Sequence, residues 1–188
     1  MPPSFHSNET ENANLNQYWY SEKTCEILCA AVRESLSQRS NGNARVAFLS
    51  TPSLFFSLGV HERKQCTLFD FDDKWRSHRQ FEFYDYNFPN KVEASLHGKF
   101  DLVVIDPPFI SHAVWENYGT TAALLAKEDA HIICTTIDQN EQLMKSLFGC
   151  QLCNFKPTIP TLIYQYNCYA NFPSEALSTI NSELTQDS

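Results

Sequence analysis

At 188 residues, with 43% hydrophobic and 13% aromatic residues and only five glycines, the chain suits one globular domain with its own core, which excludes disordered and fibrous classes. A net charge of −8 gives no overall attraction to a phosphate backbone, so nucleic acid is disfavoured as a partner and a basic protein is favoured. Seven cysteines, an odd number, behind a start that is not charged-then-apolar, fit reduced thiols in the cytosol, and no apolar run nears the roughly 20 residues of a membrane helix. A soluble, cytoplasmic monomer is expected.

In chain order, residues 1–14 are polar and read as a loose tail, as do 174–188. From Ser21, a suitable helix cap, residues 21–39 place Ile27, Leu28, Ala31, Val32 and Leu36 on one helical face, closed by an Asn41-Gly42 turn. Cys25 and Cys29, one turn apart, face the core. Short apolar runs at 45–49, 65–69, 81–84, 100–105 and 131–135 read as strands, and helical patterns at 52–59, 72–78, 113–126 and 139–148 separate them. That alternation gives an α/β fold with a mainly parallel sheet covered by helices on both faces. The end differs, because 152–155 and 162–170 are two strand-like runs joined by the proline-bearing segment 156–161, a terminal hairpin. No repeat or linker divides the chain, so 15–173 forms one domain.

In such a sheet the ligand crevice lies beyond the carboxyl ends of the strands. The strand at 100–105 delivers Asp106-Pro107-Pro108-Phe109 to that place. An amino group held for reaction needs acceptors for its hydrogens and no competing donor. Asp106 offers a carboxylate, Pro107 a carbonyl on a stiff backbone, and neither proline has an N–H. Phe109 can pack on a planar base or on a lysine stem. The plainer alternative is a strand that ends in a turn, with Asp106 bonded locally.

This tetrapeptide resembles the [DNS]-P-P-[YFW] motif shared by adenine-N6, glutamine and some lysine methyltransferases. Segments 17–24 (QYWYSEKT), 50–58 (STPSLFFSL), 68–75 (LFDFDDKW), 81–87 (FEFYDYN), 98–109 (GKFDLVVIDPPF) and the closing CNFKP and YQYNCYANF narrow the likeness. Together they are similar to the eukaryotic elongation factor 1-alpha lysine methyltransferase family, over about residues 15 to 173. The resemblance implies a Rossmann-like, seven-strand class I methyltransferase fold with an antiparallel last strand, and S-adenosylmethionine as cofactor. It implies that Ser50, Thr51, Pro52 and Ser53 form the turn facing the methionine part of the cofactor. The family shares the absence of the usual glycine-rich loop there, and hydroxyls at a helix start can hold a carboxylate. It implies Asp70 as the acid for the ribose hydroxyls, ahead of Asp72, which can instead cap the next helix. Asp85 and Tyr86 meet the adenine, and Tyr20 and Ser21 contact the cofactor or the substrate, with aromatic packing and helix capping as their alternative roles.

Cys150 and Cys153 have a CxxC spacing, but no second pair completes a zinc site, so both are structural. His112, three residues after Phe109, reads as the start of a surface helix. Three functions remain in play. A protein-lysine N-methyltransferase acting on elongation factor 1-alpha leads. An N6-adenine methyltransferase of DNA or RNA is the alternative, opposed by acidic charge and the lack of a basic cluster. A non-catalytic scaffold would have no need of Asp70, Asp85 and Asp106 together.

Overall fold

The computed structural model describes residues 5–39 and 42–184. The tail residues 1–4 and 185–188, and Asn41 of the expected turn, lie outside the described residues. Among the described residues one sheet holds β1 (Val46–Leu49), β2 (Cys66–Asp70), β3 (Phe81–Phe83), β4 (Phe100–Ile105), β5 (Ala126–Thr136), β6 (Gln151–Leu152) and β7 (Asn167–Ala170). Their order is β3-β2-β1-β4-β5-β7-β6. Pairing is parallel from β3 to β5 and antiparallel at β7 and β6. This is the expected α/β class, with its antiparallel end.

The helices are α1 (Phe5–Asn8), α2 (Glu22–Ser37), α3 (Pro52–Ser57), α4 (His112–Leu125) and α5 (Glu141–Phe148). Every residue of β1, β2 and β4 is buried, as covering both faces requires. Successive side chains alternate between faces. Val46, Phe48, Leu102 and Val104 join the core beneath α2 and α3. Ala47, Leu49, Val103 and Ile105 join the core that α4 and α5 cover. On α2, the Ser21 hydroxyl accepts the Thr24 N–H at 3.0 Å, and Cys25, Leu28, Cys29, Ala31 and Val32 are buried.

From β1 the chain runs outward through β2 and β3, then returns to place β4 on the other side of β1. The order reverses there and opens a crevice at the carboxyl ends. Leu49 and Ile105 are register partners, so Ser50 and Asp106 leave adjacent strands side by side. The Asp106 N–H donates to the Leu49 carbonyl at 3.2 Å, and the Ser50 N–H to the Phe69 carbonyl at 2.8 Å.

Four stretches depart from expectation. Residues 5–14 were expected as tail, yet Phe5 stacks on Phe56 at 5.6 Å and meets Trp19 edge-on at 5.1 Å. At the other end, the Ala176 N–H reaches the Glu34 carboxylate at 3.0 Å and Leu177 is buried. Single apolar residues in polar surroundings anchor both segments, and periodicity is blind to single residues. The hairpin is shorter than expected, because 162–166 is a loop that turns into the crevice. β5 begins five residues before the expected 131, its polar start held by backbone pairing of Ala126 with Phe100.

Candidate active site

A cavity of about 230 Å³ opens where β1, β2 and β4 end. The strand ends supply one wall with Ser50, Asp70, Asp85 and Tyr86, together with all of Asp106-Pro107-Pro108-Phe109. Residues 14–19, a strap between α1 and α2, supply the facing wall, and Ile159, Leu162 and Tyr166 close a third side. Among the described residues that line it there is no Lys or Arg, and three are aspartates.

Asp106 is half-buried, and the hydroxyls of Tyr20 and Thr135 act on its carboxyl. Burial pushes this carboxyl up to about 7, against those two hydroxyls, which favour the charged form. Asp70, 5% exposed at the end of β2, is likewise pushed up to about 7 by burial, although it accepts the Asp72 N–H at 2.8 Å. Asp72 lies outside the cavity. It accepts the Lys74 N–H at 3.1 Å and caps the short turn over 73–77, the role held open for it from sequence. Asp85 accepts the Asn87 N–H at 2.9 Å. The ring of Tyr86 stacks on Tyr118 at 6.0 Å, and Phe109, 48% exposed, lies 6.4 Å from Tyr86. Burial raises the phenols of Tyr84, Tyr118 and Tyr166, so all three remain neutral donors.

Ser50 takes a φ of 56°, the left-handed region where a glycine ordinarily sits. Its hydroxyl lies 2.6 Å from the Tyr118 hydroxyl. A packed, hydrogen-bonded serine therefore makes the turn for which other crevices of this type use glycine. Thr51, Pro52 and Ser53 stand behind it and do not line the cavity. Pro52 opens α3, and the Ser53 carbonyl accepts from Ser57 at 2.7 Å. The buried Thr51 hydroxyl has no hydrogen-bond partner.

Two more of the residues singled out from sequence are not on the cavity surface. Ser21 caps α2 and donates to Glu183 at 2.6 Å. Tyr20, 2% exposed, lies behind Asp106 rather than beside the cavity. Sequence reasoning missed Asn16, whose side-chain amide donates to the Pro108 carbonyl and ties the strap to the opposite wall. Its φ of 51° is the left-handed conformation that asparagine tolerates, but nothing in the sequence marked it. Tyr118 and Tyr166 were hidden inside patterns read as helix and strand. Cys150 is buried and Cys153 half-buried, all seven cysteines are free, and no metal-binding group occurs among the described residues. Nor is any described helix long and apolar enough to cross a membrane.

The donor and acceptor set fits S-adenosylmethionine. An ionised Asp70 has lone pairs beyond those its backbone donors use, as a ribose diol requires.

A family model described as "Probable N6-adenine methyltransferase" matches residues 11–174. The chain is similar to a protein-lysine N-methyltransferase of Dictyostelium discoideum, 31% identical over 180 residues, covering 93% of this chain and 83% of that protein. It is also similar to the EEF1A lysine methyltransferase 1 of Danio rerio, 32% identical over 172 residues, covering 87% of this chain and 100% of that protein. Among solved structures, a protein of Corynebacterium glutamicum shares the fold with a TM-score of 0.50 at 12% identity, covering 90% of this chain and 94% of that one.

Proposed function

This chain belongs to the family described as probable N6-adenine methyltransferase and is an S-adenosylmethionine-dependent methyltransferase, and we propose that it is a protein-lysine N-methyltransferase whose substrate is elongation factor 1-alpha. One observation carries the choice of acceptor: the cavity holding Asp106 is lined by aspartates and aromatic rings, with no Lys or Arg among its described lining residues. A lysine side chain is attracted to such a site, whereas a phosphate backbone finds no cation beside it. The names of the similar proteins support the same acceptor.

When bound, the cofactor supplies a methyl group activated on a cationic sulfur. The chain's own residues do the rest. Asp70 takes the ribose hydroxyls, Asp85 and Tyr86 take the adenine, and Ser50, with Thr51, Pro52 and Ser53 behind it, shapes the turn for the methionine end. The target lysine has a reference pKa of about 10.4 and reacts only after losing a proton. Beside that cationic sulfur the aromatic lining favours the neutral amine against the pull of the aspartates, while Phe109 and Tyr166 pack on its methylene stem. Asp106, ionised above about pH 7, and the Pro107 carbonyl accept the amine hydrogens. The lone pair then points away from both, toward the methyl. Residues 15–173 form the catalytic domain.

Incubating the chain with methyl-labelled cofactor and a cell extract, with and without nuclease, tests the acceptor. A labelled protein that survives nuclease is the expected result. Label lost to nuclease would establish the adenine reading instead.

A further inference from the structure

Asp106 leaves β4 one residue after Ile105, whose register partner on β5 is Cys134, so Asp106 comes level with Thr135. The Thr135 hydroxyl, on a residue 1% exposed, lies 2.6 Å from the hydroxyl of the equally enclosed Tyr20. Both hydroxyls act on the Asp106 carboxyl, favouring its charged form. Two hydroxyls carry two protons. One is used in the bond between them, which leaves the other for the neighbouring carboxylate whichever way that pair points. We propose that Tyr20 and Thr135 are positioning residues for methyl transfer: they hold one carboxylate oxygen of Asp106 inward and leave the other facing the cavity, where it accepts the target amine.

The clamp meets a need specific to this site. Asp before proline readily turns to bond its own backbone, which would withdraw the acceptor from the cavity. A buried carboxyl is also pushed toward its neutral form, in which it offers a donor where the amine needs an acceptor. Two enclosed hydroxyls oppose both tendencies. Tyr20 also continues directly from the strap that lines the cavity. The hydroxyl that orients Asp106 is therefore tied to the segment covering the bound molecules, and an undocked strap leaves Asp106 loosely held.

Only the kinetic consequence of this inference rests on the lysine-methyltransferase reading. The test uses Tyr20→Phe and Thr135→Val in the full chain, with Thr135→Ser as the restoring variant. Each is followed by carboxyl NMR titration of Asp106, by calorimetry with S-adenosylmethionine, and by kcat against pH. Loss of either hydroxyl should raise the Asp106 midpoint by about one pH unit and lower kcat about tenfold at neutral pH. The acid limb of kcat should move upward with the midpoint, while cofactor affinity stays within about twofold. Thr135→Ser should behave as the parent. An unmoved Asp106 midpoint in both variants, or a lower kcat with an unmoved acid limb, overturns the proposal. If the parent chain methylates no lysine, the substrate reading falls, and the Asp106 titration still decides the clamp.

Discussion

The two facing walls of the cavity are built on different principles. The strand-end wall takes its polar residues from β1, β2 and β4, whose pairing fixes Ser50, Asp70 and Asp106 to neighbouring places on a rigid sheet. The strap at 14–19 has no ladder beneath it. Beyond one isolated backbone bridge of Gln17 with Asn12 it is held by single contacts: Asn16 to the Pro108 carbonyl, the Trp19 N–H to Glu11 at 2.9 Å, and aromatic packing through Phe5. Chemistry that needs fixed geometry belongs on the first wall. Admission and release belong on the second, because local opening is drawn from weakly anchored segments.

Substitutions can break this contrast, and the largest effect is expected at Asp106. Asp106→Ala removes the acceptor and should lower kcat at least 100-fold while leaving cofactor affinity within about threefold, as read by calorimetry beside single-turnover kinetics. Comparable loss of both would mean that Asp106 holds the cofactor rather than the amine. Asp70→Ala should do the reverse, weakening the cofactor roughly 10- to 100-fold with kcat at saturation nearly kept. On the strap, Asn16→Gly keeps the left-handed backbone and deletes only the amide, so the expected change is a cofactor off-rate about threefold faster. A 100-fold effect there would place the strap among the fixed catalytic parts and erase the distinction.

The smallest effect is thermodynamic. Asp70 and Asp106 sit at about 7 in the folded chain because burial disfavours their charge. Between the ordinary carboxyl range and pH 7 the folded state therefore holds protons that the unfolded state has released. Their contribution to stability is full below the unfolded pKa and is lost as pH rises through about 7. Without cofactor, the melting temperature should fall between pH 5.5 and pH 8, and Asp70→Asn should flatten that fall. A melting temperature that rises over this range would show that neither carboxyl is held neutral by burial.

Legibility from sequence followed the same division. Asp106 to Phe109, Asp70, and Asp85 with Tyr86 stand at or just beyond the carboxyl ends of strands, a position that is readable from sequence and that an open parallel sheet offers to a ligand. Ser50 was legible only through the resemblance, since a left-handed serine replaces the glycine that a motif search expects. Tyr20 and Ser21, read as contacts of the cofactor or the substrate with aromatic packing and helix capping as the alternatives, lie off the cavity surface, Ser21 as the cap of α2. A sequence shows that aromatics dock, and not which side of a carboxyl they dock on. Asn16, Tyr118 and Tyr166 reach the cavity through tertiary placement alone, with no periodic or motif signal. The strap and the 159–166 loop share that property, and so did the short helix at Phe5–Asn8.

The central claim is that the strand-end wall presents a lysine amine for methylation. Its most direct measurement is acid hydrolysis and amino-acid analysis of purified elongation factor 1-alpha after incubation with methyl-labelled cofactor and the chain, beside Asp106→Ala. The account predicts label in N-methylated lysine with the parent chain and none with the variant. Equal labelling by the variant, or label confined to adenine in added nucleic acid, would contradict it.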